Sequence, residues 1–276
     1  MENFKYKYGP WALVTGASSG IGKSISEQLA QQGLNLVAVA RNQANLETLK
    51  NDLEAKYAIQ VETIAEDLSK PGASSLIAEQ TAGIDIGLLI ANAGIETNGP
   101  FIDNDANDEN QLLALNIVSP MQLSHIFARR FSERGRGGIL LTSSLFGYQG
   151  VPYVANYSAS KAYILSLGEA LNVELQPLGI DVTVLSPGLT KTPMIDNMSV
   201  DFNKMPITSH TPDVVAKVGL SALGNKATVV PGLINKIYAW ENRLIPRSWP
   251  VKLFGFLIKR ASAGGINQPV GRPAAF

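Results

Sequence analysis

Tyr157 and Lys161 stand four residues apart in a stretch with helical periodicity, so their side chains can share one face. A phenol ordinarily titrates near pH ~10, too high to exchange protons readily at neutral pH. An ammonium held beside it stabilises the phenolate and lowers that value. The pair can then serve as an acid toward a carbonyl oxygen or as a base toward an alcohol. Read alone, the same two residues also fit an ordinary helix surface. Thirteen residues before Tyr157, the apolar run that begins at Ile139 has already ended in Ser143 and Ser144. Either hydroxyl can donate to the same substrate oxygen, and spacing does not choose between them. A serine nucleophile is not expected, because neither histidine, His125 nor His210, has an evident triad setting. Asn116 falls mid-helix, where asparagine is a poor helix former. It satisfies a broken helical hydrogen bond, holds a water, or is simply tolerated at a surface.

A second group of residues suits a phosphate. Residues 15–22 read TGASSGIG and lie between an apolar strand and a helical pattern. Gly16 permits a tight turn, Gly20 lets the backbone approach a phosphate, and Gly22 lets the helix pack closely on the sheet. The amides of the helix N-terminus then face a pyrophosphate. The spacing is G-x-x-x-G-x-G and no Lys-Ser or Lys-Thr pair follows, which rejects a P-loop. Plain turn chemistry is the other reading. An acid at the end of the second strand would bind the ribose hydroxyls of NAD. This chain has Ala40 and Arg41 there. Arg41 offers a fork of donors suited to the 2′-phosphate of NADP, and Ser18 can add a hydroxyl. Otherwise Arg41 merely opens a solvated helix.

The composition removes other classes. The 276 residues contain no cysteine and only two histidines, which excludes disulfides, thiolate chemistry and a multi-histidine metal site; no metal is expected. Formal net charge is zero, a poor basis for nucleic-acid binding. With 45% apolar and 17% charged residues the chain can build a sizeable core. The start does not read as a secretory signal, and no apolar stretch is long enough to span a bilayer, so a cytoplasmic protein is expected.

Elements that could position these residues alternate along the chain. Strands are expected at Trp11 to Thr15, Leu34 to Ala40, Ile59 to Ile64, Ile86 to Ala91, Ile139 to Thr142, Ile180 to Leu185 and Thr228 to Val230. Between them, Ile21, Ile25 and Leu29 mark a helix ended by Gly33, and Leu46, Leu49 and Leu53 mark the next. One helix is expected over roughly 108–134, another over 157–175, and a third over 211–224 with Thr211 as its cap and Pro212 in its first turn. Strands apolar on both faces, alternating with helices, point to an α/β fold with a parallel sheet covered on both sides.

Taken in order, TGASSGIG (15–22), DL (67–68), ANAG (91–94), LN (115–116), SS (143–144), YSASK (157–161) and PG (187–188) resemble the short-chain dehydrogenase/reductase family over about residues 10–231. The resemblance implies one Rossmann-type domain over 1–276, a doubly wound parallel sheet of seven strands flanked by helices. It implies that Gly16, Ser18, Ile21 and neighbouring backbone, including Gly20 and Gly22, line the pyrophosphate and adenosine ribose of NADP(H). Asp67 would bond the adenine amino group and Leu68 add a backbone contact. Asn92, Ala93 and Gly94 would flank the adenosine side and brace the sheet. Asn116, Ser144, Tyr157 and Lys161 match the four catalytic positions, and the match selects Ser144 over Ser143. Lys161, beside Tyr157, would also hold the nicotinamide ribose. Pro187 and Gly188 would turn the chain around the nicotinamide, and Thr192 would meet its carboxamide. Two departures are mild: Ala91 replaces a commoner asparagine, and Thr190, counted with the cofactor contacts, replaces a commoner aliphatic residue.

The expected function is NADPH-dependent reduction of an apolar or aromatic ketone or aldehyde. The rivals are an NADP-dependent secondary-alcohol dehydrogenase working mainly in oxidation and a catalytically silent nucleotide-binding scaffold. The substrate cover is expected at 145–155 and in a lid at 190–214, with Phe146, Tyr148, Val151, Pro152, Tyr153, Met194, Ile195, Met198, Phe202 and Met205 as lining candidates. A C-terminal extension, 231–276, carries seven basic residues against Glu241 alone, and holds Trp240 and Trp249. Pro246 and Pro250 should split it. It is expected to pack on the fold or on a partner subunit of a homodimer or homotetramer. The alternative is peripheral contact of 231–260 with an anionic membrane.

Overall fold

The computed structural model describes residues 4–196, 208–241 and 244–261. Seven strands form one sheet: β1 (Trp11–Thr15), β2 (Asn35–Ala40), β3 (Val61–Ala65), β4 (Ile86–Ala91), β5 (Gly137–Thr142), β6 (Ile180–Leu185) and β7 (Thr228–Val229). Their order is β3-β2-β1-β4-β5-β6-β7, and every pairing is parallel. The chain winds outward from β1 in one direction, then crosses to β4 on the other side. A crevice therefore opens where the strand order reverses, beyond the C-terminal ends of β1 and β4.

The helices are α1 (Phe4–Tyr8), α2 (Gly20–Gln31), α3 (Gln43–Lys56), α4 (Ala73–Gln80), α5 (Ala106–Leu113), α6 (Ser119–Arg134), α7 (Ala155–Leu175), α8 (Pro193–Asp196), α9 (Pro212–Ala222), α10 (Leu233–Glu241) and α11 (Ser248–Ala261). Side chains alternate across a strand, so the sheet builds two apolar layers. Ala12 and Val14 of β1 meet Ile25 and Leu29 of α2, Leu46 and Leu49 of α3, and Val215 and Leu220 of α9. Leu13, on the opposite face, belongs with Ile77 of α4, Phe127 and Phe131 of α6, and Ile164 of α7. Both faces being covered explains why the strands are continuously apolar.

Several expectations need correction. The helix expected over 108–134 is interrupted: a π-helical turn at Ala114–Val118 separates α5 from α6 and carries Asn116. The apolar pattern of the sequence does not mark α1 or α4. Only Phe4 and Tyr8 of α1 are buried, and α4 buries Ala73, Ser74 and Ile77, two of them small, so neither shows a long apolar period. Thr211 precedes α9 but makes no side-chain capping bond. Pro250 does not split the C-terminal segment. It lies in the first turn of α11, where a missing N–H breaks no helical bond. Among the described residues, no helix is long and apolar enough to cross a membrane.

Candidate active site

The loop from β1 to α2 is held open by its glycines. Gly16 has φ +66°, and its N–H and that of Ala17 both donate to Val39 O, at 2.8 and 3.2 Å. A Cβ on Gly22 would run into the Gly16 carbonyl, so α2 can start this close to the loop only without a side chain there. Ser19 at the N-cap of α2 makes no side-chain capping bond. The first amides of α2 therefore keep their donors for a ligand. From the other side, Thr192 Cγ2 lies 3.0 Å from where a Cβ on Gly20 would be. The segment after β6 thus lies over the glycine loop.

The ends of the central strands are bonded together. Thr15 Oγ1 accepts from the N–H groups of Asn92 and Ala93, both at 3.0 Å. Asn92 Nδ2 donates to Thr15 O at 3.3 Å, and Thr142 Oγ1 donates to Asn92 Oδ1 at 3.3 Å. Beyond them, the π turn points the Asn116 side chain at the loop after β4. Its Oδ1 accepts from Ile95 N–H at 2.9 Å, and its Nδ2 donates to Ile95 O at 2.8 Å and Ser160 Oγ at 3.2 Å. The irregular helix thereby clamps the segment containing Gly94, Ile95 and Glu96. The amide of Asn116 is a positioning group here, not a wall of the cavity.

The two serines separate by geometry. Ser143 Oγ is buried and donates to Lys161 O at 2.6 Å. Both serines line the cavity, but Ser144 accepts from Phe146 N–H at 3.2 Å and hydrogen-bonds with Tyr157. Lys161 Nζ donates to Thr142 O at 3.1 Å and lies 5.6 Å from the centroid of the Tyr157 ring. Gly94 leaves room for this ammonium, since a Cβ there would sit 3.3 Å from Lys161 Nζ.

The electrostatics differ from the sequence-based expectation that Lys161 lowers the phenol's pKa. Burial pushes Tyr157 up, the nearby Glu96 carboxyl adds to that rise, and the hydrogen bond to Ser144 offsets it in part. Burial pulls Lys161 down to about 8, against the opposing pull of Glu96. Glu96 itself is pushed up to about 8 by burial, with Lys161 acting the other way. The phenol therefore keeps its proton at neutral pH.

One continuous cavity joins Gly16, Gly20, Ile21, Asn92, Ala93 and Gly94 to Ser144, Tyr157, Lys161, Pro187, Gly188, Thr190 and Thr192. Ser18, Gly22, Arg41, Asp67, Leu68 and Asn116 do not line it. Gly22 acts through packing, and Leu68 is a buried part of the core. Asp67 accepts from Ser69 N–H at 3.0 Å and from Ser69 Oγ at 2.7 Å. Of the expected substrate cover, Phe146, Met194 and Ile195 reach the cavity, whereas Tyr148, Val151, Pro152 and Tyr153 do not. Met198, Phe202 and Met205 lie outside the described residues. Ser19 of the TGASSGIG loop and Leu145 of the expected cover line the cavity too, as do Glu96, Leu189, Asn235 and Phe254, which no motif marked. Phe254 comes from α11 and packs in one cluster with Val151, Val154, Phe146 and Tyr157.

The short chain dehydrogenase profile matches residues 10–201. A 7beta-hydroxysteroid dehydrogenase of Clostridium sardiniense is 31% identical over 247 residues, covering 89% of this chain and 94% of that relative. A structure from a study of 7beta-hydroxysteroid dehydrogenase stereoselectivity superposes with a TM-score of 0.83 at 27% identity, over 91% of this chain and 99% of that one. A short-chain dehydrogenase from Sphingobium yanoikuyae in complex with NADPH gives 0.76 at 30% identity, over 85% and 93%. Matched through most of its length, the chain belongs to the short-chain dehydrogenase family, as an oxidoreductase working between carbonyl and alcohol with a nicotinamide cofactor.

Proposed function

We propose that the protein is an NADP(H)-dependent carbonyl reductase for bulky, largely apolar ketones or aldehydes, with Ser144, Tyr157 and Lys161 as its catalytic residues. The observation that carries this reading is the single cavity running from the amides of α2 to the Tyr157 phenol. Its features fit a dinucleotide. Gly16, Gly20 and Gly94 leave spaces that a Cβ would crowd, against Ala93, Thr192 and Lys161 respectively. Asn235 Oδ1 is buried without a hydrogen-bond partner among the described residues, an acceptor left for a ligand N–H. Arg41 at the end of β2, with no acid at Ala40, supports NADP(H) over NAD(H). The NADPH complex of the Sphingobium relative supports the same choice.

When bound, the nicotinamide supplies the hydride for reduction or accepts it in oxidation. The first amides of α2 would hold the pyrophosphate, with Asp67 and Leu68 at the adenine and Pro187, Gly188, Thr190 and Thr192 around the nicotinamide. Ser144 would hold the substrate carbonyl oxygen, and Tyr157 would give that oxygen its proton. The upward shift of the phenol suits this direction, since the acid is loaded at neutral pH. Lys161 would hold the nicotinamide ribose and offer positive charge as the phenol loses its proton. Asn116 would act through Ile95 and Ser160, holding the loop that faces Lys161.

Leu145, Phe146, Leu189, Met194, Ile195 and Phe254 make the substrate side mostly apolar. That wall, and the steroid named for the Clostridium relative, support a bulky ring substrate. The test is a panel of keto-steroids, aryl ketones and small sugars, offered with NADPH and NADH and followed by nicotinamide absorbance. Reduction of the bulky ketones with NADPH, cut at least ~100-fold in Tyr157→Phe with cofactor binding retained, supports the reading. Near-normal turnover in that variant overturns it. The proposed assembly is a homodimer or homotetramer, read by light scattering of the purified chain.

A further inference from the structure

The C-terminal helices α10 and α11 each carry two faces with apolar side chains, and among the described residues one is buried and the other exposed. On α11 the inner face is Pro250, Phe254, Ile258 and Ala261, all buried. Phe254 meets Phe146 at 5.9 Å and Tyr238 of α10 at 5.8 Å between ring centroids. Trp249, Leu253 and Phe256 recur at helical spacing on the opposite side, 62%, 45% and 61% exposed. On α10, Leu233, Ile237 and Trp240 repeat the pattern at 75%, 59% and 60% exposure. Leu244, in the connection between the helices, is exposed as well. Lys236, Arg247, Lys252, Lys259 and Arg260 are exposed on the same segment. No carboxylate stands among its described side chains, and Glu241 is the only acid in its sequence.

We infer that this surface docks on an anionic lipid bilayer. Packing against the protein's own fold, expected from the sequence, accounts for the inner face and leaves Leu233, Ile237, Trp249, Leu253 and Phe256 exposed among the described residues. Exposed apolar groups of this number mark an interaction site rather than ordinary surface. The partner is set by charge. A second copy related by two-fold symmetry would set this basic surface against itself with no carboxylate among its described side chains to pair it, whereas an anionic leaflet neutralises it. Aromatic and aliphatic side chains between lysines match the boundary of headgroups and acyl chains, where long basic side chains reach outward. At 14 residues, α11 is about 21 Å long and cannot span the hydrocarbon core, so it lies in the interface plane. The geometry also ties the surface to the cavity: Phe254 lines the cavity from the inner face of the helix whose outer face meets lipid. An apolar substrate dissolved in the bilayer would then enter at its own source.

The experiment is co-sedimentation of the full chain with vesicles of phosphatidylcholine alone, or with roughly a third phosphatidylglycerol. Binding is expected only with the anionic lipid. It should weaken as salt rises from about 0.1 M to about 1 M, which shortens screening from ~10 to ~3 Å. Lys252→Ala with Lys259→Ala should weaken partitioning about 30-fold, the product expected of two cations at a membrane surface. Trp249→Ser with Phe256→Ser should abolish binding without lowering Tm, because both side chains point away from the core. No pelleting with anionic vesicles overturns the inference, as does equal pelleting with both lipids. A stable dimer that dissociates in the same Trp249/Phe256 variant would show instead that a second copy covers the face. None of these readouts depends on a substrate or on turnover.

Discussion

Glu96→Gln should change the pH dependence of stability, because the parent carboxyl is held far from its ordinary state. Burial raises it from 4.5 to about 8. A group whose pKa rises on folding binds its proton more tightly in the folded chain. Its contribution is complete below about pH 4.5 and drains away as pH climbs to about 8. At about 1.4 kcal/mol per pH unit, that interval corresponds to at most about 5 kcal/mol. The carboxyl lines a cavity, so solvent there screens part of the burial cost, and roughly 2 kcal/mol is the expected loss. Lys161 slopes the other way: burial lowers it from 10.5 to about 8, so its contribution is present above pH 10.5 and lost as pH falls through about 8. The joint contribution of these two groups should therefore be smallest near pH 8, where the two slopes meet. In Glu96→Gln only the slope due to Lys161 remains. The variant's Tm minus the parent's should rise by roughly 4–8 °C between about pH 5 and about pH 8. Thermal melts of both proteins in one buffer series at constant salt read this directly. A difference that stays constant with pH refutes the buried placement of Glu96, whatever its sign.

Arg41→Ala should remove most of a preference for NADPH over NADH of at least ~10-fold, measured by titrating each cofactor into parent and variant; equal affinities in the parent would defeat the assignment. Phe254→Ala deletes a fully buried ring that touches both the core and the cavity. It should cost about 3–5 kcal/mol in urea unfolding and raise KM for bulky ketones more than it lowers kcat. Lys161→Ala should weaken NADPH binding and lower turnover together, whereas Tyr157→Phe should lower turnover alone; matched binding and kinetic measurements separate the two roles.

Much of this arrangement is local and can be read in the sequence. Apolar runs bounded by glycines and polar turns marked the seven strands, because strand burial on both faces leaves a continuous signature. TGASSGIG announced a loop that only small residues can form, and the observed φ of Gly16 and the crowding at Gly22 are the physical content of that motif. The spacing of Tyr157 and Lys161 put them on one helix face because helical geometry is itself local. The sequence could not tell Ser143 from Ser144 by spacing, since adjacent residues at a strand end differ only in which neighbours they meet. Tertiary structure decided that Ser143 is spent on the Lys161 carbonyl and Ser144 faces the phenol. The π turn at Asn116 likewise depends on the distant Ile95 and Ser160. Glu96 follows ANAG without a pattern of its own, and Asn235 and Phe254 come from the C-terminal helices. Their arrival in one cavity, and the balance by which burial rather than Lys161 governs the Tyr157 proton, arise from long-range packing. Desolvation is a property of everything that surrounds a group, and no spacing along the chain encodes it.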